Sequence, residues 1–290
     1  MRVSISIVFI LLFATTFAHD LDYYFEVVLN ITKDAGEIIN EKIWQVKNVE
    51  IKFSAVDFVT ETDREIEEKF KREISAKFPD HKFIGEETTD DGEKMQLTDS
   101  PTWVIDPIDG TMNFVHGYPY VCISVALLVN KETQMGIIYN PVLNQLFTAR
   151  KGQGAFYNQK PIRVSTIKEL SEAVVSTEVG LSRDEEKLRV VAENIKNFVP
   201  LAQGIRSVGT RAMNLALVAL GGTDAFYEFG PHAWDMAAGD LLIREAGGVV
   251  IDPSGGAFDL MSRRVLAAST RELADQIIPK LQQYYPPRDM

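Results

Sequence analysis

At 290 residues, 46% of them hydrophobic, the chain can bury a substantial core; its 24% charged residues and scattered 19 Gly and 12 Pro exclude wholesale disorder, collagen-like repeats and coiled coils. Thirty Lys and Arg against 41 Asp and Glu give a net charge of −11, and with no basic stripe to offset it nucleic acid is excluded as a partner. A lone Cys122 allows no intramolecular disulfide.

In chain order, the first element is a leader. Arg2 precedes an uncharged run from Val3 to Ala18 that closes on Thr16-Phe17-Ala18, and residues 1–18 read as a signal peptide. The run is shorter than the roughly 20 apolar residues of a membrane span, so no stable span is expected. An uncleaved anchor and a plain apolar extension are the other readings. Cleavage would send residues 19–290, a single domain without linker or repeat, into the secretory pathway; the alternative is a cytoplasmic protein. The sequon Asn30-Ile31-Thr32 fits that route and equally fits chance on a helix face.

Beyond the leader, helices and strands alternate. Phe25, Val28, Leu29, Ala35, Ile38 and Ile39 have helical spacing after Asp22, and Ile66, Phe70, Ile74 and Phe78 repeat every four residues after a capping-box pattern Thr62-x-x-Glu65. Between them Val49–Ser54 and Phe58–Thr60 predict a hairpin. Trp103–Ile105, Val121–Val129, Gln134–Tyr139, Gln145–Ala149 and Ala155–Tyr157 are β-rich runs, with Gly152-x-Gly154 a hairpin turn rather than a nucleotide loop. Further helices are expected from Ser182, over Thr210–Leu220, over Asp235–Ala246 before Gly247-Gly248, and near Arg271–Tyr284, with strands between. The class is mixed α/β, layered.

Chemistry concentrates in Trp103-Val104-Ile105-Asp106-Pro107-Ile108-Asp109-Gly110-Thr111-Met112-Asn113-Phe114. An apolar strand delivers Asp106, Pro107 stiffens the turn, and Asp109 lies three residues on, so two carboxylates can converge on a cation. Gly110 permits close backbone approach to a ligand, and a helical turn from Met112 would put the Gly110 and Thr111 N–H groups where a phosphate is stabilised. Alone, the stretch is equally an ordinary strand-turn-helix with Asp as cap. Phe83-Ile84-Gly85-Glu86-Glu87 ends a short apolar run in two acids, by itself a solvated turn. Trp234-Asp235-Met236-Ala237-Ala238-Gly239 places Asp235 at a helix start, where it can be a simple cap, and its small residues allow close packing. Together these acids form an all-oxygen set that suits Mg²⁺ or Mn²⁺ better than zinc. His116 and His232 accordingly read as supporting residues, and Cys122 as a buried small hydrophobe.

The three acidic stretches, in this order and spacing, resemble the inositol monophosphatase family of Mg²⁺-dependent, lithium-sensitive phosphatases, with similarity from about Asp22 to the C-terminal helix. The resemblance implies a layered αβαβα sandwich, a homodimer, and hydrolysis of a phosphate monoester on a small phosphorylated polyol, first of all myo-inositol 1-phosphate. A sugar phosphate or nucleotide bisphosphate is the alternative, and an inactive binding protein a third. It further implies that Glu86, Asp106, Asp109, Asp235 and the Ile108 carbonyl hold two or three Mg²⁺, Glu86 also counting among the catalytic groups. Gly110 and Thr111, with Ile108, Asp109 and Asp235 beside them, would contact the phosphate, and Thr111 with Asp63 would orient and deprotonate the attacking water. Asp63, in Asp57-Phe58-Val59-Thr60-Glu61-Thr62-Asp63, is also readable as a first-turn helix acid. Gly209, Thr210, Arg211 and Glu228 match positions that line the sugar or inositol; Arg211 replaces a small residue of some animal members. Lys52 either neutralises excess acid or is simply exposed.

Overall fold

The computed structural model describes residues 3–52, 58–90, 92 and 95–289, and of residues 3–19 the backbone alone. The predicted leader, and Ser54 and Asp57, therefore fall wholly or partly outside the described residues. Five layers alternate helix and sheet. The outermost pairs α1 (Val3–Lys42) with α2 (Glu61–Lys77), the hairpin of β1 (Val49–Ile51) and β2 (Phe58–Thr60) lying between them in sequence. Both helices turn their periodic apolar residues, among them Val28, Ile39, Ile66 and Phe70, onto one face of a seven-stranded sheet.

That sheet runs in sequence order through β3 (Lys82–Gly85), β4 (Thr102–Asp109), β5 (Cys122–Val129), β6 (Glu132–Asn140), β7 (Gln145–Arg150), β8 (Gly154–Tyr157) and β9 (Lys160–Ile162). Only β3 and β4 are parallel, which their connecting segment allows; the rest are hairpins, including the Gly152-x-Gly154 turn. Strand alternation divides the side chains: Trp103, Ile105, Ile123 and Val125 face α1 and α2, whereas Val104, Cys122 and Ala126 face the opposite layer.

The middle layer consists of α6 (Arg211–Leu220) and α7 (Ala233–Glu245). Small residues set its spacing, as the sequence suggested. A Cβ on Gly136 of β6 would lie 2.9 Å from the Ala238 backbone, and one on Gly239 would lie 2.5 Å from the Leu215 side chain. Beyond it a five-stranded sheet has the order β11 (Gly204–Arg206), β10 (Val174–Thr177), β12 (Ala225–Phe229), β14 (Arg264–Ala268), β13 (Val249–Ile251). Its outer face is covered by α5 (Glu185–Phe198) and α8 (Arg271–Ile277) through Val190, Phe198, Leu273 and Ile277. The layers are αβαβα. Among the described residues no helix is long and apolar enough to cross a membrane.

Several boundaries differ from the sequence reading, each for a local reason. The cap of α2 is Thr60, not Thr62: Asp63 accepts from Thr60 N at 2.9 Å while Thr60 Oγ1 accepts from Thr62 N at 3.2 Å. Asp184 rather than Ser182 caps α5, accepting from Lys187 N at 2.9 Å. β4 does not stop before Pro107. A register shift between Asp106 and Asp109 absorbs the residue that cannot donate, and the strand runs on. At the other end α8 stops at Ile277 instead of Tyr284, because Pro279 breaks the donor ladder and only a 3₁₀ turn, Ile278–Lys280, follows.

Candidate active site

The bulge in β4 assembles the site. It lets both Asp106 and Asp109, 1% and 2% exposed, face the end of α7, where Asp235 waits in the first turn. One carboxylate oxygen from each of the three lies within 4.8 Å of the others. Asp109 Oδ2 accepts from Ala212 N at 2.7 Å, and Asp235 Oδ2 accepts from His232 N at 2.6 Å. By contrast, Asp106 Oδ1 and Asp109 Oδ1 are buried with no partner. Burial raises all three: with Asp235 beside it Asp109 is pushed up to about 7, with Glu86, Asp109 and Asp235 around it Asp106 lies well above its ordinary value, and Asp235 is raised by burial, with Glu86 adding to it, despite Arg211. Buried, converging and orphaned carboxylate oxygens suit a hard divalent cation, which would satisfy them and remove the repulsion.

Around this cluster lies a cavity of about 670 Å³ that Glu86, Ile108, Gly110, Thr111, Gly209 and Arg211 also line. Gly110, at φ 95°, turns the chain from β4 into the short helix α4 (Thr111–Val115); a Cβ there would strike Thr210 Cγ2 at 2.9 Å and Tyr120 O at 3.1 Å. Thr111 Oγ1 sits 3.1 Å from Ile108 O and 3.3 Å from Asp63 Oδ1. Glu86 opens the helical turn α3 (Glu86–Asp90) at the end of β3. It stands apart from the three converging aspartates and pairs with Lys52 at 3.0 Å. Lys52 also holds Glu87 and Asp90, each at 2.8 Å, so it neutralises acid and is not exposed. Although burial opposes its charge, these three carboxylates raise its pKa, while burial and Glu86 push Glu87 up to about 9.

Three expected site residues lie behind the cavity wall. Asp63 is 1% exposed and meets Thr111 of the cavity lining, its Oδ2 held by Thr60 N and Thr60 Oγ1. Burial pushes its carboxyl up to about 6 against those hydrogen bonds. Thr210 caps α6 by accepting from Met213 N at 3.1 Å. Glu228 sits 3.4 Å from Arg211 Nε, and its second oxygen is buried without a partner. His232 stacks on Trp234, 4.5 Å between ring centres, and Cys122 is buried with its sulfur 3.8 Å from Asp109 Oδ2.

Other participants escaped the sequence reading. Glu178, directly after β10, accepts from Ser207 Oγ at 2.6 Å, Val208 N at 2.7 Å, Gly209 N at 2.9 Å and Asn214 Nδ2 at 2.7 Å, fixing the loop that brings Gly209 to the cavity. An acid closing the apolar run Val174-Val175-Ser176-Thr177 was the available signal. Lys187 and Arg263 line the cavity too, as do Tyr284, Pro286 and Pro287 of the C-terminal tail. Asp289 pins that tail, accepting from Ala233 N at 3.0 Å and meeting His232 Nδ1 at 2.7 Å.

Buried oxygen donors and a glycine-led helix turn in one cavity, at the ends of the strands of a five-layered sandwich, define a site for hard cations and phosphate. The profile of the inositol monophosphatase family matches residues 20–285. Human inositol monophosphatase 1 is 48% identical over 255 residues, covering 88% of this chain and 92% of its own. Rat inositol monophosphatase 2 is 46% identical over 262 residues, 90% of each chain. Among solved structures, the Thermotoga maritima IMPase superposes with a TM-score of 0.79 at 33% identity, covering 90% of this chain and 96% of that one. The chain belongs to the inositol monophosphatase family.

Proposed function

We infer that the protein is an inositol-phosphate phosphatase that hydrolyses a phosphate monoester, myo-inositol 1-phosphate to myo-inositol and phosphate. The observation that carries the reading is the convergence of Asp106, Asp109 and Asp235, with two orphaned oxygens, beside the Gly110–Thr111 turn. Glu86, Asp106, Asp109, Asp235 and the Ile108 carbonyl would hold Mg²⁺, two or three ions. Bound there, Mg²⁺ supplies an acidic water and screens charge on the phosphate and leaving oxygen. Gly110 and Thr111 N–H groups hold phosphate oxygens at the start of α4. A water bonded to Thr111 Oγ1 is oriented by a hydroxyl that itself donates to Asp63 Oδ1, and Asp63, its other oxygen held by Thr60, takes up the proton. Gly209 and Arg211 meet the polyol, with Thr210 and Glu228 backing them.

The deciding assay is turnover of inositol monophosphates, sugar phosphates and nucleotide bisphosphates with Mg²⁺ and with EDTA; no Mg²⁺-dependent phosphate release from any of them would refute the reading. Lithium inhibition competing with Mg²⁺, and a homodimer in sedimentation analysis, complete the proposal on the strength of the family likeness. Residues 1–18 are proposed to be a signal peptide, supported by Arg2, the uncharged run and Thr16-Phe17-Ala18, and by a family match that begins at residue 20. Sequencing the secreted protein tests it: a start near His19 supports removal, and an intact Met1 on cytosolic enzyme overturns it.

A further inference from the structure

One wall of the cavity carries charge that a monophosphate leaves unused. Arg183, Lys187, Arg211 and Arg263 all line the cavity, together with Asp90, Asp106, Asp109 and Asp235. Lys187 is 3% exposed in the first turn of α5. Its ammonium fits because Gly180 and Gly230 lack side chains: a Cβ at either would lie 2.5 or 2.9 Å from Nζ. Among the described residues no acceptor bonds or ion-pairs with Nζ. The nearby acid, Glu228, is shared with Arg211 at 3.4 Å. Arg263 gives Nη2 to Gly230 O at 2.9 Å and stands 3.7 Å from Asp289, its Nε without a hydrogen bond. Among the described residues Arg183 hydrogen-bonds to backbone carbonyls, those of Gly180, Leu181 and Ser182. Arg211 is answered by Glu228, Asp235, Asp109 and Glu178 and Arg263 by Asp289, whereas Lys187 has no carboxylate bonded to it among the described residues.

An ammonium that lines the cavity with no bonded acceptor offers its charge to a ligand anion. The phosphate that is hydrolysed has its place at Gly110 and Thr111, and an uncharged polyol ring met by Gly209 and Arg211 leaves the Lys187 charge unanswered. We propose that Lys187 and Arg211 form a subsite for a second phosphate, so that the cavity accepts polyols bearing two phosphates, one hydrolysed and one held. This rests on the phosphatase reading above. Burial and the three arginines keep the Lys187 pKa below its ordinary value even though Glu228 raises it, so an anion brought beside it would be welcome.

The experiment compares myo-inositol 1-phosphate with myo-inositol 1,4-bisphosphate on wild type and Lys187→Met. With Mg²⁺, wild type should show a KM for the bisphosphate at least fivefold below that for the monophosphate, and Lys187→Met should erase that ratio. Calorimetric titration of both ligands into metal-free protein supplies a readout independent of turnover: tighter binding of the bisphosphate to wild type, lost in Lys187→Met, is the expected result. Equal or absent binding of the two ligands to wild type, or a ratio unmoved by Lys187→Met, overturns the subsite. Failure to hydrolyse either compound would instead refute the phosphatase reading, and the titration would still decide the subsite.

Discussion

Replacing Asp109 by Asn separates the charge of the site from its shape. The amide keeps an acceptor for Ala212 N, which now bonds Oδ2 at 2.7 Å, and puts a neutral group where Oδ1 has no partner. Burial and Asp235 push the Asp109 carboxyl from 3.8 up to about 7. At about 1.4 kcal/mol per pH unit, ionising it costs the metal-free fold on the order of 4 kcal/mol. The unfolded chain ionises first, so this stability is fully present below about pH 4 and is lost as the pH rises through about 7. An unsatisfied amide N–H takes back about 1–3 kcal/mol, leaving roughly 1–3 kcal/mol in favour of Asn once the wild-type group is ionised. For a domain of this size that is roughly 3–9 °C. Calorimetry in EDTA at about pH 8 should therefore show Asp109→Asn melting above wild type, with the gap closed or reversed at about pH 5. Millimolar Mg²⁺ should raise the wild-type midpoint and leave the variant's unchanged, while phosphatase activity falls more than tenfold. A variant that melts at or below wild type in EDTA at about pH 8, or that Mg²⁺ stabilises as much as wild type, would refute the assignment.

Lys52→Met strands Glu86, Glu87 and Asp90 around an apolar side chain; urea unfolding near neutral pH should show a loss of about 3–5 kcal/mol, much of it recovered in acid as the carboxylates protonate. Glu178→Gln should act as a loss of positioning, because the amide cannot accept everything that Ser207, Val208, Gly209 and Asn214 donate. Steady-state kinetics should show KM rising several-fold with a smaller change in kcat. Gly136→Ala forces the Ala238 backbone off β6 and should cost about 1–3 kcal/mol in thermal or chemical unfolding.

The fold class was legible because α1, α2 and the hairpins of the seven-stranded sheet declare themselves by period alone. Asp106, Asp109 and Asp235 were legible for a different reason: each alone reads equally as a cap, and the order and spacing of the three acidic stretches, through their resemblance to the inositol monophosphatase family, joined them into one expected site. Capping was less readable, since Thr60 and Thr62, or Ser182 and Asp184, are interchangeable on paper and only the path of the preceding chain chooses between them. Nothing in the sequence distinguishes Lys187 from the exposed lysines of an amphipathic helix. Its burial depends on Gly180 and Gly230, contributed by two other segments. Glu178 is similar: three of its donors come from a loop about 30 residues away and the fourth, Asn214, from α6.

The tail that Asp289 ties to Ala233 and His232 has a practical consequence. Because Tyr284, Pro286 and Pro287 are part of the cavity wall, polypeptide appended after residue 289 would begin at the mouth of the site rather than on a remote surface. A C-terminal polyhistidine tag would then place metal-binding imidazoles within reach of the cations under assay and compete for the α7 end that Asp289 occupies. Affinity handles belong elsewhere on this protein, and kinetic differences between preparations tagged at this end and untagged ones would report on the tail itself.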